Sequence, residues 1–324
     1  MNSSRQQRTL AMMTGFERYT KKTRRAEFLE EMERVVPWTK LCGLIEPDYP
    51  KAGGGRPPVG VERMLRIYFL QQWFNLSDPG VEEALYDSFL MRQFVGIDLG
   101  REPVSDETTI CKFRHLLEEH DLGGAMLEAV NRHLHSKGVR ISRGTIVDAT
   151  IIHAPSSTKN QAQQRDPEMK QTKKGGQWYF GMKAHVGVDS QTKIIHSAAV
   201  SPANQADAKV LPYLLHGEET RVWGDQGYVG QSEFLTRRAP RARDCTNRRC
   251  LYHGRDNQVE RERNRKKSKV RSKVEHVFQV MKLKFGLAKV RYRGLKKNGN
   301  RVFATCALVN LYLARKKLLR PALA

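Results

Sequence analysis

Thr145-Ile-Val-Asp-Ala-Thr-Ile-Ile152 sets one carboxylate in the middle of an apolar, β-branched run. Val, Ile and Thr side chains suit a pleated surface, so the run reads as a strand buried in a sheet. A carboxylate there is desolvated unless it meets a cation, which makes Asp148 either functional or the partner of a Lys or Arg. Downstream, Trp178–Val188 and Lys193–Val200 read as two more strands, joined by the hairpin-like turn Asp189-Ser-Gln-Thr192. Thr220-Arg-Val-Trp-Gly-Asp225 reads as a fourth, ending at Gln226-Gly-Tyr228. Residues 155–177 are polar and Lys/Gln-rich, hence a loop, and residues 237–269 are loop-like and very basic. Ala206–Leu215 is expected to be a short helix, and longer helices are expected over about Ser268–Phe285 and Arg301–Lys317. A strand meander that then meets helices predicts an α/β fold with a mixed sheet.

Upstream of residue 139 the pattern is helical. Thr23–Val36 is rich in helix formers and stops before Pro37. Helical spacing returns at Val61–Trp73, after the loop signal Gly53-Gly-Gly-Arg-Pro-Pro58, and again over Val81–Phe94. Ser105 is the expected N-cap for Asp106–Glu119, and residues 124–136 continue the pattern. The expected division is a helical N-terminal domain over 1–138 and a catalytic domain over 139–324.

The net charge is +23, and all of it lies in the second part. Residues 1–140 carry 20 Lys+Arg and 20 Asp+Glu, whereas residues 141–324 carry 37 and 14. Such an excess repels itself unless a polyanion neutralises it, which points to nucleic acid. No apolar run approaches the roughly 20 residues of a membrane span, and no signal-peptide core is evident. Five scattered cysteines argue against a disulfide framework. A soluble protein of the bacterial cytoplasm, associated with the nucleoid when on DNA, is the expectation.

With so few acids in the basic region, each context is informative. Asp225 ends a strand before a glycine-containing turn, where α/β sheets often bind ligands. Glu275 lies in Arg271-Ser-Lys-Val-Glu-His-Val-Phe-Gln-Val-Met-Lys282. Helical spacing puts Arg271, Glu275, Gln279 and Lys282 on one face, with Val274, Val277, Phe278 and Met281 opposite. Asp148, Asp225 and Glu275 together offer the oxygen donors that Mg²⁺ prefers, with Mn²⁺ as a substitute. Two such ions about 3.5–4 Å apart can serve both oxygens of a phosphodiester displacement. On spacing alone, three ion-paired acids remain the alternative.

Four motifs then act together: Thr145-Ile-Val-Asp-Ala-Thr150 with Ser156-Ser-Thr-Lys-Asn160; Tyr179-Phe-Gly-Met-Lys-Ala-His185 with Val188-Asp189; Trp223-Gly-Asp-Gln-Gly-Tyr228; and Arg271, Glu275 and Lys282. In these the chain resembles the bacterial IS5-type insertion-sequence transposases of the IS4/IS5 superfamily. Ser105-Asp106-x-x-Thr109 with Phe113-Arg114 resembles their N-terminal region. The resemblance implies a ribonuclease H-like catalytic domain, a DDE triad at Asp148, Asp225 and Glu275, and two metal ions. It also implies action on terminal inverted repeats and target DNA, with self-association as at least a dimer on DNA. Arg271 and Lys282 resemble the signature Arg and Lys and are expected at phosphates. Lys183, Lys273 and Tyr228 are counted with them as DNA contacts, Tyr228 by stacking on a freed base. The family usually carries a Tyr three residues before the Arg, where this chain has Ser268.

Some residues are left open. Cys245-x4-Cys250-x2-His253 looks like half a zinc site without a fourth ligand, and free thiols are the better reading. Trp178 and Tyr179 can stack on a base or pack at a sheet edge. His153, His185 and His276 can orient a carboxylate or a phosphate. A nuclease that never joins ends, and a non-catalytic DNA-binding protein, are the rival functions.

Overall fold

A computed structural model of the chain describes residues 21–53, 57–161, 163–252 and 255–320. Helices come first: α1 (Arg24–Val35), α2 (Trp38–Ile45), α3 (Val61–Phe74), α4 (Asp78–Asp87), α5 (Phe89–Val95), α6 (Glu107–Glu119) and α7 (Leu122–Ser136). Local chemistry sets their ends. Thr23 Oγ1 accepts the Ala26 amide at 3.2 Å to start α1, and Asn75, in the left-handed region at φ 54°, ends α3. The expected helix over Val81–Phe94 is two helices, because the Ser88 hydroxyl accepts the Met91 amide and begins a new one. The N-cap of α6 is Asp106 rather than Ser105: its carboxylate takes the Thr109 amide at 2.7 Å. A charged acceptor suits the positive end of the helix better than a hydroxyl does.

The sheet is built on β1 (Gly144–His153), β2 (Lys170–Lys174), β3 (Gln177–Asp189), β4 (Ile195–Pro202), β5 (Arg221–Trp223) and β6 (Arg243–Asp244). β1 pairs antiparallel with β3 on one side and parallel with β5 on the other. β4 pairs antiparallel with β3, and β6 parallel with β5. Three antiparallel strands continued by a parallel pair make the mixed sheet of the ribonuclease H-like fold. Being central, β1 is buried on both faces: Ile146 and Ile152 enter the main core, while Val147 joins a second cluster with Val210, Leu211, Leu214, Val222 and Tyr228.

Beyond the sheet come α8 (Ser232–Arg238), the two-residue strands β7 (Leu251–Tyr252) and β8 (Arg255–Asp256), α9 (Gln258–Arg271), α10 (Lys273–Gln279) and α11 (Leu295–Leu318). Two segments expected as loops are ordered. Residues 170–174 pair as β2 with the overhanging end of β3, and residues 258–271 form α9. The helix expected over Ser268–Phe285 thus starts ten residues earlier and is broken at Ser272. It ends in a π-turn, Val280–Lys284.

The main apolar core runs without interruption from Leu29 to Ala314. α11 unites it, packing along α7 and against α1 and β4. Asn310 of α11 is fully buried. Its Oδ1 accepts the Ile195 amide at 2.8 Å, and its Nδ2 donates to the Ile195 carbonyl at 2.7 Å and to Asn131 Oδ1 at 2.8 Å. One side chain thereby supplies the hydrogen bonds that another strand would give the start of β4.

Asp189 closes the β3–β4 hairpin from a fully buried position. It accepts the Ser142 amide and hydroxyl, the Gln191 amide, and the Thr192 amide and hydroxyl. Burial opposes its charge, but the Ser142 and Thr192 donors outweigh it and hold its pKa below 3.8. The stability it contributes is therefore full above the unfolded pKa and lost as pH falls through the lower folded value. Asp189→Asn should cost about 2–3 kcal/mol in urea unfolding at pH 7, because an amide nitrogen cannot accept. That gap should close on acidification below 3.8. A gap that stays constant with pH would show the charge to be irrelevant.

Candidate active site

The parallel register puts Ile146 opposite Trp223. Two residues further along, β1 carries Asp148, and the chain just past the end of β5 carries Asp225. Adjacent strands lie about 4.8 Å apart, so the register starts these two residues from neighbouring positions, and the Asp225 charge is felt at Asp148. Asp225 leaves the end of β5 as the cap of a 3₁₀ turn, its Oδ1 accepting the Gly227 amide at 2.8 Å. Glu275 comes from α10, where Val274, Val277 and Phe278 are buried and the carboxylate is exposed.

The electrostatics of Asp148 show the convergence. Burial pushes its pKa up to about 6, and the charges of Asp225 and Glu275 add to the rise. The Ala149 amide and the Arg271 guanidinium work against it. Arg271, at the end of α9, bonds Asp148 Oδ2 through Nη1 at 2.9 Å. The triad is open: among the described residues, the group of His, Cys, Asp and Glu ligand atoms that all lie within 4.8 Å of one another is elsewhere, at His196, His216 and Glu219. Three like charges repel one another, and Arg271 matches one of them. A buried carboxylate raised by two others, all with hard oxygen donors, fits a divalent cation better than a permanent ion pair.

Lys282, in the π-turn, bonds the Ile151 carbonyl of β1 through Nζ at 2.8 Å. Burial lowers its pKa, as does Lys174, while Glu275 raises it. Arg271, at the end of α9, and Lys282, in the π-turn, thus lie beyond the two ends of α10 rather than on one continuous helix with Glu275. Lys273 reaches the Ser190 carbonyl at 2.6 Å. Lys183 bonds the Asp207 carboxylate and the Gln205 carbonyl, each at 2.8 Å, with its side chain 14% exposed. Its charge is matched within the protein. Tyr228 is corrected: its ring is 1% exposed within the second core, leaving no face for a base.

Asp207 is the acid that the sequence reading missed. A Cβ placed on Gly227 would lie 3.0 Å from Asp225 Oδ1 and 3.8 Å from Asp207 Oδ2, so the two carboxylates are neighbours. Its signal was present, as one of few acids in a basic region, but it sits in a polar stretch that gives no sign of burial. His185 Nδ1 stands 3.9 Å from it, and burial drives that imidazole down to about 4, so it is neutral. His153 packs edge-on to Tyr179 at 5.2 Å, His276 is exposed, and Trp178 is 64% exposed. Ser268 accepts the Asn247 side-chain amide at 3.0 Å, fastening the preceding loop to α9. Cys250 Sγ meets Asn264 Nδ2 at 3.0 Å, and His253 lies outside the described residues.

A family model described as the transposase DDE domain matches residues 140–311, more than half of the chain. The chain belongs to the DDE transposases. A second model, described as a transposase domain (DUF772), matches residues 17–116 of this transposase. The pair of matches is typical of IS4/IS5-type insertion-sequence enzymes, which break DNA and transfer strands and whose DDE domains use divalent metals. The transposase is also similar to the piggyBac transposase in its cryo-EM synaptic complex with hairpin DNA. That match has 8% identity and a TM-score of 0.48, and covers 90% of this chain and 73% of the other. No described helix is long and apolar enough to cross a membrane.

Proposed function

We propose that this transposase, of the IS5 type, cuts at the terminal inverted repeats of its own element and joins the freed 3′-hydroxyls to target DNA. The observation that supports the reading is the parallel register of β1 and β5, with Asp148 and Asp225 each two residues past its last pair, together with the rise that the Asp225 and Glu275 charges give the Asp148 pKa. Asp148, Asp225 and Glu275 would hold two Mg²⁺, with Mn²⁺ as a substitute, and the ions would activate the attacking oxygen and stabilise the leaving one. Arg271 guards Asp148 in the absence of DNA and turns to a phosphate near the scissile bond when it arrives. Lys282 holds a second phosphate beside Glu275, and Lys273 contacts the backbone further out. Lys183 acts from behind, fixing Asp207 next to Asp225. The helices within residues 1–138 contribute end recognition and self-association, since joining two ends needs two active sites. The setting is the bacterial cytoplasm, on the nucleoid.

The test supplies pre-cleaved inverted-repeat ends, a supercoiled target plasmid and Mg²⁺. Strand-transfer products are expected, and their absence alongside efficient cutting would leave a nuclease. Affinity for the ends should fall about 10³-fold between 50 and 200 mM salt if six phosphates are neutralised. Fluorescence anisotropy across that range checks it, and a flat response would remove the phosphate contacts from the argument.

A further inference from the structure

We propose that His196, His216 and Glu219 form a second metal site, structural and suited to Zn²⁺, on the face of β1 opposite Asp148. The ligand atoms of the three all lie within 4.8 Å of one another, and His216 Nε2 is already 3.5 Å from Glu219 Oε1. Ligands about 2.1 Å from one ion sit about 3.4 Å apart, so side-chain shifts of about 1 Å complete the site. The imidazoles meet edge to face, with centroids 4.9 Å apart.

Glu219 makes the case chemically. Its carboxylate is fully buried, and it has no Lys or Arg partner among the described residues. The His216 and Gly217 amides bond it at 2.7 and 2.8 Å, and the Thr145 hydroxyl at 3.2 Å. Those neutral donors orient the charge without cancelling it, and a buried charge without a counter-ion is costly. The nearby ionisable groups are the two imidazoles and Asp189, whose charge acts on His196 against the effect of burial. Burial, aided by His216, drives His196 down to about 3, leaving the neutral form that binds metals. Its Nδ1 lies 2.9 Å from Ser197 Oγ, the outer hydrogen bond that fixes a ligating Nε2, and its Nε2 lies 3.1 Å from Thr145 Oγ1, a contact that ligation exchanges for the ion. Ligation through His216 Nε2 puts a proton on Nδ1 and exchanges the 3.2 Å Glu218 amide contact for solvent, to which His216 is open.

The location gives the ion a task. His196 is on β4, and His216 and Glu219 lie in the link that leads into β5 and so to Asp225. Thr145 and Asp148, three residues apart on β1, point to opposite faces of the sheet. An ion here clamps the sheet behind the acids without touching them.

The test uses the full chain, stripped with chelator and titrated with Co²⁺ as a spectroscopic stand-in. One equivalent should bind with the intense visible bands of a four-coordinate site. The bands should persist in an Asp148→Asn, Asp225→Asn, Glu275→Gln variant and vanish in the solvent-facing His216→Gln. Zn²⁺ should raise the parent's Tm at near-stoichiometric loading and leave that of His216→Gln unchanged. The absence of Co²⁺ bands in the parent would overturn the site, as would bands unaffected by His216→Gln or lost with the triad. A Zn²⁺-dependent Tm in the Asp148→Asn, Asp225→Asn, Glu275→Gln variant does not depend on His216→Gln, so a misfolded His216→Gln does not shield the claim.

Discussion

Asp148→Asn is expected to abolish cleavage and strand transfer, by at least about 10³-fold, while the chain still folds and binds DNA. Asparagine keeps the shape and the Oδ1 that accepts the Ala149 amide at 2.8 Å, but it removes the charge that would hold a cation. Arg271, with a side chain 26% exposed, is left to reach solvent or phosphate. Stability should move the other way. Asp148 has a side chain 11% exposed and feels two further carboxylates, so neutralising it relieves both burial and repulsion. In metal-free buffer the variant's Tm should rise by about 2–4 °C. Activity and stability therefore change in opposite directions at one atom. Gel assays of cleavage and strand transfer, with scanning calorimetry, check both halves. Cleavage within tenfold of the parent would remove Asp148 from the chemistry.

Asn310→Ala should have the largest structural effect, costing about 3–5 kcal/mol in urea unfolding. The substitution strands the Ile195 amide, leaves the Ile195 carbonyl with the Asn131 amide at 3.1 Å, and deprives Asn131 Oδ1 of its donor. The site is fully buried, so water does not readily replace them. Because the main core is continuous, the loss should appear as one cooperative transition rather than as release of the sheet alone. Circular dichroism and tryptophan fluorescence should therefore report the same midpoint. A cost below about 1 kcal/mol would show the β4 edge to be held by packing instead.

How much of this was legible in the sequence depends on how each feature writes itself there. β1, β3, β4 and β5 show as β-branched or alternating runs because burial selects those residues, and Asp148 stands out as an acid within one. Glu275 was readable because α10 has an apolar face that fixes the opposite one. α9 has no apolar stripe: it is held by the Asn257 cap, which takes the Glu260 amide at 3.0 Å, and by Glu260 bridging Arg263 and Lys267. A helix polar all round leaves no period to read. β2 is a strand because β3 overhangs its other neighbours, a fact of pairing rather than of composition. The meeting of His196 with Glu219 is invisible for the same reason, since β4 and the link to β5 approach only once the sheet exists. Tyr228 went astray because an aromatic after a strand reads alike whether it lines a groove or fills a core.

The position of α11 also bears on when this protein becomes itself. The helix joins the core to α1 and α7, which end at Val35 and Ser136, long before it begins at Leu295. Until residues 295–318 leave the ribosome, the first helices lack the surface that covers them, and the start of β4 lacks Asn310. Folding is then a late event of high contact order, slow and exposed to aggregation on the way. The nascent chain carries its carboxylates long before it carries an assembled active centre, and α11 sets the delay.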